Sequence, residues 1–126
     1  MLLSKILIID DDKNIVMIAQ IGLSDTPEWD VITALSAQEG LEKALSEQPD
    51  LILLDMVMPD MDGKAALALL RGNTATAGTP VIFMTARAEK EEVEGYMRLG
   101  AVGVIVKPFE PMSLSSEIKT ICKLPV

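Results

Sequence analysis

Five short runs of aliphatic and β-branched residues recur along the chain, at 5–9, 30–34, 51–54, 80–84 and 102–106, and each is followed by a stretch of helical periodicity. The helical stretches fall near 14–23, 37–47, 64–70, 90–99 and 112–122. The runs are apolar on both faces, as Ile6-Leu7-Ile8-Ile9 and Leu51-Ile52-Leu53-Leu54 show. Strands of that kind belong in a parallel sheet covered by helices on both sides. The predicted fold is therefore an α/β, doubly wound (βα)5 domain of flavodoxin type over residues 1–126, with the five-stranded parallel order 2-1-3-4-5. At 126 residues the chain is one domain with enough core to stand without disulfides. Aromatics make up only 3%, so Leu, Ile, Val, Ala and Met fill that core. Ser36 with Glu39 has capping-box spacing at the start of the second helix, Gln48-Pro49 ends it, and Gly100 caps the fourth.

Three of the runs stop at charge. Asp10-Asp11 follows the first, Asp55 the third and Lys107 the fifth. In a doubly wound sheet, ligands bind beyond the carboxyl ends of the strands where the strand order reverses, here between strands one and three. Asp10, Asp11 and Asp55 therefore meet at that rim. Carboxylates about 4 Å apart repel by roughly 4 kcal/mol per pair at an effective dielectric near 20. Such a group requires a cation, a protonated member, or both. All-oxygen donors without His or Cys suit Mg²⁺. Three carboxylates, one Mg²⁺ and Lys107 sum to zero charge, and Thr85 at the end of the fourth run adds a hydroxyl donor. Asp10, Asp11 and Asp12 also read as caps for the first helix, Asp55 as a turn residue, and Lys107 before Pro108 as a solvated lysine preceding a cis peptide. Gly63 reads as backbone geometry.

The chain has no histidine, which removes His-based triads, metal ligands and general bases. Its net charge of −8 opposes direct nucleic-acid binding. One cysteine, Cys122, excludes an internal disulfide and fits a reducing cytoplasm. Met1-Leu2-Leu3 reaches Ser4-Lys5 too soon for a signal peptide, and no apolar run spans a bilayer.

The blocks Ile-Leu-Ile-Ile-Asp-Asp-Asp at 6–12, Leu-Ile-Leu-Leu-Asp-Met-Val-Met-Pro-Asp-Met-Asp-Gly at 51–63, Val-Ile-Phe-Met-Thr-Ala at 81–86 and Lys-Pro-Phe at 107–109 resemble the receiver (CheY-like) domains of bacterial two-component response regulators. The resemblance covers essentially the whole chain. It implies that Asp55 accepts a phosphoryl group from a phosphohistidine on a sensor kinase or phosphotransfer protein. It further implies that Asp10, Asp11, Asp55 and the backbone carbonyl of Val57 hold Mg²⁺, and that Lys107 and Thr85 meet the phosphoryl oxygens. Ala86 matches the small residue beside the acceptor. By the same resemblance, the domain is no enzyme towards an outside substrate, but catalyses its own phosphorylation and dephosphorylation and signals by binding other proteins.

Two places depart from the family pattern. Val104 stands where receivers carry Tyr or Phe, which argues against aromatic-coupled switching of the usual kind. Val102 and Gly103 replace a common polar pair, so the face of the fourth helix, fifth strand and fifth helix reads either as an apolar partner or dimer surface or as core filling. Arg87 and Val57 occupy the variable gate positions. No output domain follows the fifth helix, so the chain reads as a stand-alone receiver or a domain excised from a longer protein. Competing readings are a receiver-like scaffold that takes no phosphate, an aspartyl-phosphate hydrolase and a flavodoxin-type nucleotide binder. The hydrolase needs an acid where Val57 stands, and Asp10-Asp11-Asp12 would repel a phosphate from the loop after strand one. Trp29 is placed at the opposite end of the sheet.

Overall fold

The computed structural model describes residues 3–124. The reading of Met1-Leu2 and of the Pro125-Val126 tail lies outside them. Five strands alternate with five helices: β1 Lys5–Ile9, α1 Lys13–Leu23, β2 Asp30–Ala34, α2 Ala37–Glu47, β3 Leu51–Asp55, α3 Gly63–Gly72, β4 Val81–Thr85, α4 Lys90–Arg98, β5 Gly103–Val106 and α5 Pro111–Ile121. The sheet is wholly parallel in the order β2-β1-β3-β4-β5, as the sequence predicts.

Alternation along the central strands divides the core in two. Leu7, Ile9, Ile52, Leu54, Val81 and Phe83 face the layer that holds α2, α3 and α4. Ile6, Ile8, Leu51, Leu53, Ile82, Met84 and Ile105 face α1 and α5. Residues of opposite parity thus carry two separate apolar faces, and every residue of β3 and β4 is buried. Gly22 lies where α1 and α5 touch, and a Cβ there would stand 2.5 Å from the Pro111 carbonyl oxygen.

The boundaries shift by one or two residues, each for a local reason. Pro80 has no N–H for the ladder, so β4 begins at Val81, while the Pro80 carbonyl still accepts from Ile52 N at 3.0 Å. Val102 likewise precedes β5, although its N–H reaches the Val81 carbonyl. Helix α3 starts at Gly63, because Asp62 caps it by accepting from Ala65 N at 2.8 Å. It then runs two residues beyond Leu70. Helix α5 starts at Pro111 and ends at Ile121, which leaves Cys122 as its C-cap. The capping box at α2 is modified: Ser36 accepts from Glu39 N, but Glu39 Oε1 takes the N–H of Leu35, not that of Ser36. Gln48 ends α2 at φ 48° and Gly100 follows α4 at φ 109°. Trp29 is buried beside the Lys5–Asp30 pairing, at the end of the sheet away from the charged rim.

A candidate phosphoacceptor and metal centre

The charged strand ends converge. Asp10, Asp11, Asp12, Asp55, Met56, Val57, Thr85, Ala86 and Lys107 line one cleft of about 290 Å³ at the carboxyl edge of the sheet. Register explains why: Ile9 pairs with Leu54, Asp55 with Met84 and Thr85 with Val106, so Asp10, Asp55 and Thr85 each lie one step past a buried hydrophobic residue and Lys107 follows the last residue of β5. Asp55 is the last residue of β3, so the apolar run carries its carboxylate into the sheet.

The three acids at 10–12 divide their roles. Asp12 caps α1, accepting from Asn14 N at 2.9 Å and Ile15 N at 3.4 Å. Asp10 is fully buried, accepts from Asp12 N at 2.9 Å and points its other oxygen at Lys107. Asp11 stays exposed. Capping of α1 and the contact with Lys107, which the sequence left as alternatives, therefore fall to neighbouring residues.

Lys107 Nζ donates to Asp10 Oδ2 at 2.7 Å and to Asp55 Oδ1 at 2.9 Å. Asp55 Oδ1 also accepts from Val57 N at 3.4 Å. Burial pulls the Lys107 ammonium down, but the hydrogen bonds to Asp10 and Asp55 outweigh it and hold its pKa above the usual value. Burial pushes the Asp55 carboxyl up to about 6, and the charge of Asp10 adds to the rise against the pull of Lys107. At neutral pH, Asp55 is thus still mostly ionised, but at a cost.

One oxygen from each of Asp10, Asp11 and Asp55 lies within 4.8 Å of the others. Lys107 cancels one of three negative charges, which leaves a deficit that one divalent ion closes. The donors are all oxygen, so the set fits Mg²⁺.

Two supporting groups carried little sequence signal of their own. Asp60, in the β3–α3 loop, accepts from Ala37 N at 3.2 Å and Gln38 N at 3.0 Å, pinning that loop to the start of α2. Those bonds, Gln38 first, hold its carboxyl below the usual range. Arg87 N donates to Thr85 Oγ1 at 2.9 Å, and Tyr96 OH donates to the Arg87 carbonyl at 3.2 Å. The first could be suspected from an Asp in a turn, and the second only from Tyr96 being the one tyrosine of the chain.

A family model for the response regulator receiver domain matches residues 6–119. The chain belongs to that family. It is 36% identical over 119 residues to the alkaline phosphatase synthesis transcriptional regulatory protein PhoP of Bacillus subtilis, covering 94% of this chain and 48% of PhoP. It is 32% identical over 121 residues to the response regulator ArlR of Staphylococcus aureus, covering 96% of this chain and 53% of ArlR. The chain thus spans about half the length of these curated relatives. The chemotaxis response regulator CheY4 of Vibrio cholerae superposes with a TM-score of 0.86 at 29% identity, covering 95% of this chain and 99% of CheY4. The receiver resemblance and the CheY-like fold expected from sequence both hold. It is thus a response regulator receiver domain of the two-component type.

Proposed function

We propose that this receiver takes its phosphoryl group on Asp55 from a phosphohistidine of a sensor kinase or phosphotransfer protein. The observation that carries this is the burial of Asp55 beside Asp10, with Lys107 Nζ bridging the two within 3 Å. Oδ1 of Asp55 accepts both Lys107 and Val57 N, so Oδ2 can attack without surrendering either hydrogen bond. The P–N bond to the donor histidine breaks as the Oδ2–P bond forms, and the electron pair leaves on the imidazole nitrogen, which takes a proton from solvent. The carboxylate is already ionised, so no general base is needed and the absence of histidine is no handicap. Lys107 and the Thr85 hydroxyl then face the phosphoryl oxygens and offset their charge. Asp10, Asp11, Asp55 and the backbone carbonyl of Val57 would hold Mg²⁺, which supplies charge neutralisation for the transferred group. Hydrolysis resets the switch. Water attacks phosphorus, the P–O bond to Asp55 breaks, and inorganic phosphate leaves.

The net charge and the single half-buried cysteine favour a cytoplasmic protein that works through protein partners without contacting nucleic acid itself. Among the described residues, no helix is long and apolar enough to cross a membrane. On the α4–β5–α5 face, Val104 is half-buried against the core, whereas Met97, Val102 and Val106 are exposed. Both sequence readings of that face therefore have a share, and the exposed trio supports docking of a target, a second copy or an attached output domain.

Intact-mass measurement with a small phosphodonor and Mg²⁺ tests the assignment. The wild type should gain one phosphoryl group labile to hydroxylamine, and Asp55→Asn should gain none. An equal gain in both proteins refutes Asp55 as the acceptor.

A further inference from the structure

The β4–α4 loop is tied at one residue to two different elements. The N–H of Arg87 donates to Thr85 Oγ1 at the end of β4, and its carbonyl accepts from Tyr96 OH in the middle of α4. The Arg87 side chain is 80% exposed, and its Nε lies 4.0 Å from Glu92, so the backbone provides the tie. Tyr96 is otherwise fixed. Its ring is buried edge-on against Phe83 at 5.4 Å between centroids and 63° between planes. Its own carbonyl accepts from Leu99 N and Ala101 N, which joins the end of α4 to the approach to β5. Val104, opposite Phe83 in register, ends in methyl groups and has no donor to offer the loop.

We propose that Tyr96 is a positioning residue that transmits the state of the Thr85 hydroxyl to α4 through the backbone of Arg87. The inference rests on the phosphoacceptor reading above. Thr85 occupies discrete χ1 wells, so turning its hydroxyl towards a phosphoryl group on Asp55 is a jump and not a drift. That jump either breaks the bond from Arg87 N or pulls the loop along with it. In both cases the Arg87 carbonyl shifts relative to the Tyr96 hydroxyl, whose ring cannot follow freely because Phe83 and the core hold it. The strain is then relieved in the short helix that carries Tyr96. α4 thus receives the signal by hydrogen bonding from its own aromatic residue.

Because the chain has one tyrosine, its ring resonances report this site alone. The test compares amide and tyrosine-ring NMR shifts before and after adding beryllium trifluoride with Mg²⁺, as a mimic of the aspartyl phosphate. In the wild type, the Val57 and Arg87 amides, the Tyr96 ring and the amides of residues 93–99 should all shift. Tyr96→Phe keeps the ring contact with Phe83 and removes the hydroxyl. It should retain the Val57 and Arg87 shifts, while those of residues 93–99 fall at least threefold. Thr85→Ser, which keeps the hydroxyl, should retain both the Val57 shift and the Tyr96 ring response. Undiminished α4 shifts in Tyr96→Phe, or a Tyr96 ring that ignores the mimic in wild type, overturn the proposal. If Val57 itself does not respond in the wild type, it is the phosphoacceptor reading that fails.

Discussion

Replacing Asp55 by Asn should stabilise the metal-free protein, although it removes the proposed acceptor. The carboxyl has an ordinary value of 3.8 and is pushed up to about 6 in the fold, chiefly because it is buried. A rise of that size corresponds to roughly 3 kcal/mol against the ionised form. Screening at the open mouth of the cleft reduces this to on the order of 1–2 kcal/mol. The Coulomb repulsion of two carboxylates with oxygens no more than 4.8 Å apart, at least roughly 3 kcal/mol at a dielectric near 20, is of the same order before Lys107 offsets it. An Asn oxygen can still accept from Lys107, so little is lost in exchange.

The pH dependence has a definite sign. Because the folded pKa lies above the unfolded one, the favourable contribution of Asp55 is complete below about 4 and is lost as pH rises through about 6. The advantage of Asp55→Asn over wild type should therefore grow with pH, with at most about 1.4 kcal/mol of it appearing between pH 5 and pH 8. Urea denaturation in EDTA at those two pH values measures the difference. Mg²⁺ at a hundred times its dissociation constant should then stabilise the wild type by about 2.7 kcal/mol and narrow or reverse the gap. A variant no more stable than wild type at pH 8 in EDTA, or a gap of the same size at both pH values, refutes the electrostatic account.

Two further outcomes test the frame around the site. Lys107→Ala leaves Asp10 and Asp55 facing each other uncompensated. It should cost about 2–4 kcal/mol in EDTA and less in Mg²⁺, so equal losses in the two buffers would speak against charge as the cause. Gly22→Ala forces a methyl to 2.5 Å from the Pro111 carbonyl and should lower stability by about 1–3 kcal/mol as α1 and α5 part. A change within about 0.5 kcal/mol by thermal denaturation would show that the two helices yield freely.

Much of this protein is written locally. Strands buried on both faces must read as unbroken aliphatic runs, so β1 and β3 are visible directly, and a charged residue closing such a run has no packing reason to be there. The gathering of Asp10, Asp11, Asp55, Thr85 and Lys107 at one rim follows from those breaks together with the reversal point of a doubly wound sheet. Element ends were less legible, because the missing N–H of Pro80 and one hydrogen bond to the Asp62 side chain each shift a boundary by one residue.

How the polar groups share their partners is settled only when the elements pack. Nothing in the run Asp10-Asp11-Asp12 tells which acid caps α1 and which is buried against Lys107, since that depends on a side chain 97 residues away. Asp60 reaches α2 and Tyr96 reaches the loop after β4 for the same reason. Periodicity encodes which face of an element is apolar, whereas a hydrogen bond between distant side chains exists only once packing has set the distance between them.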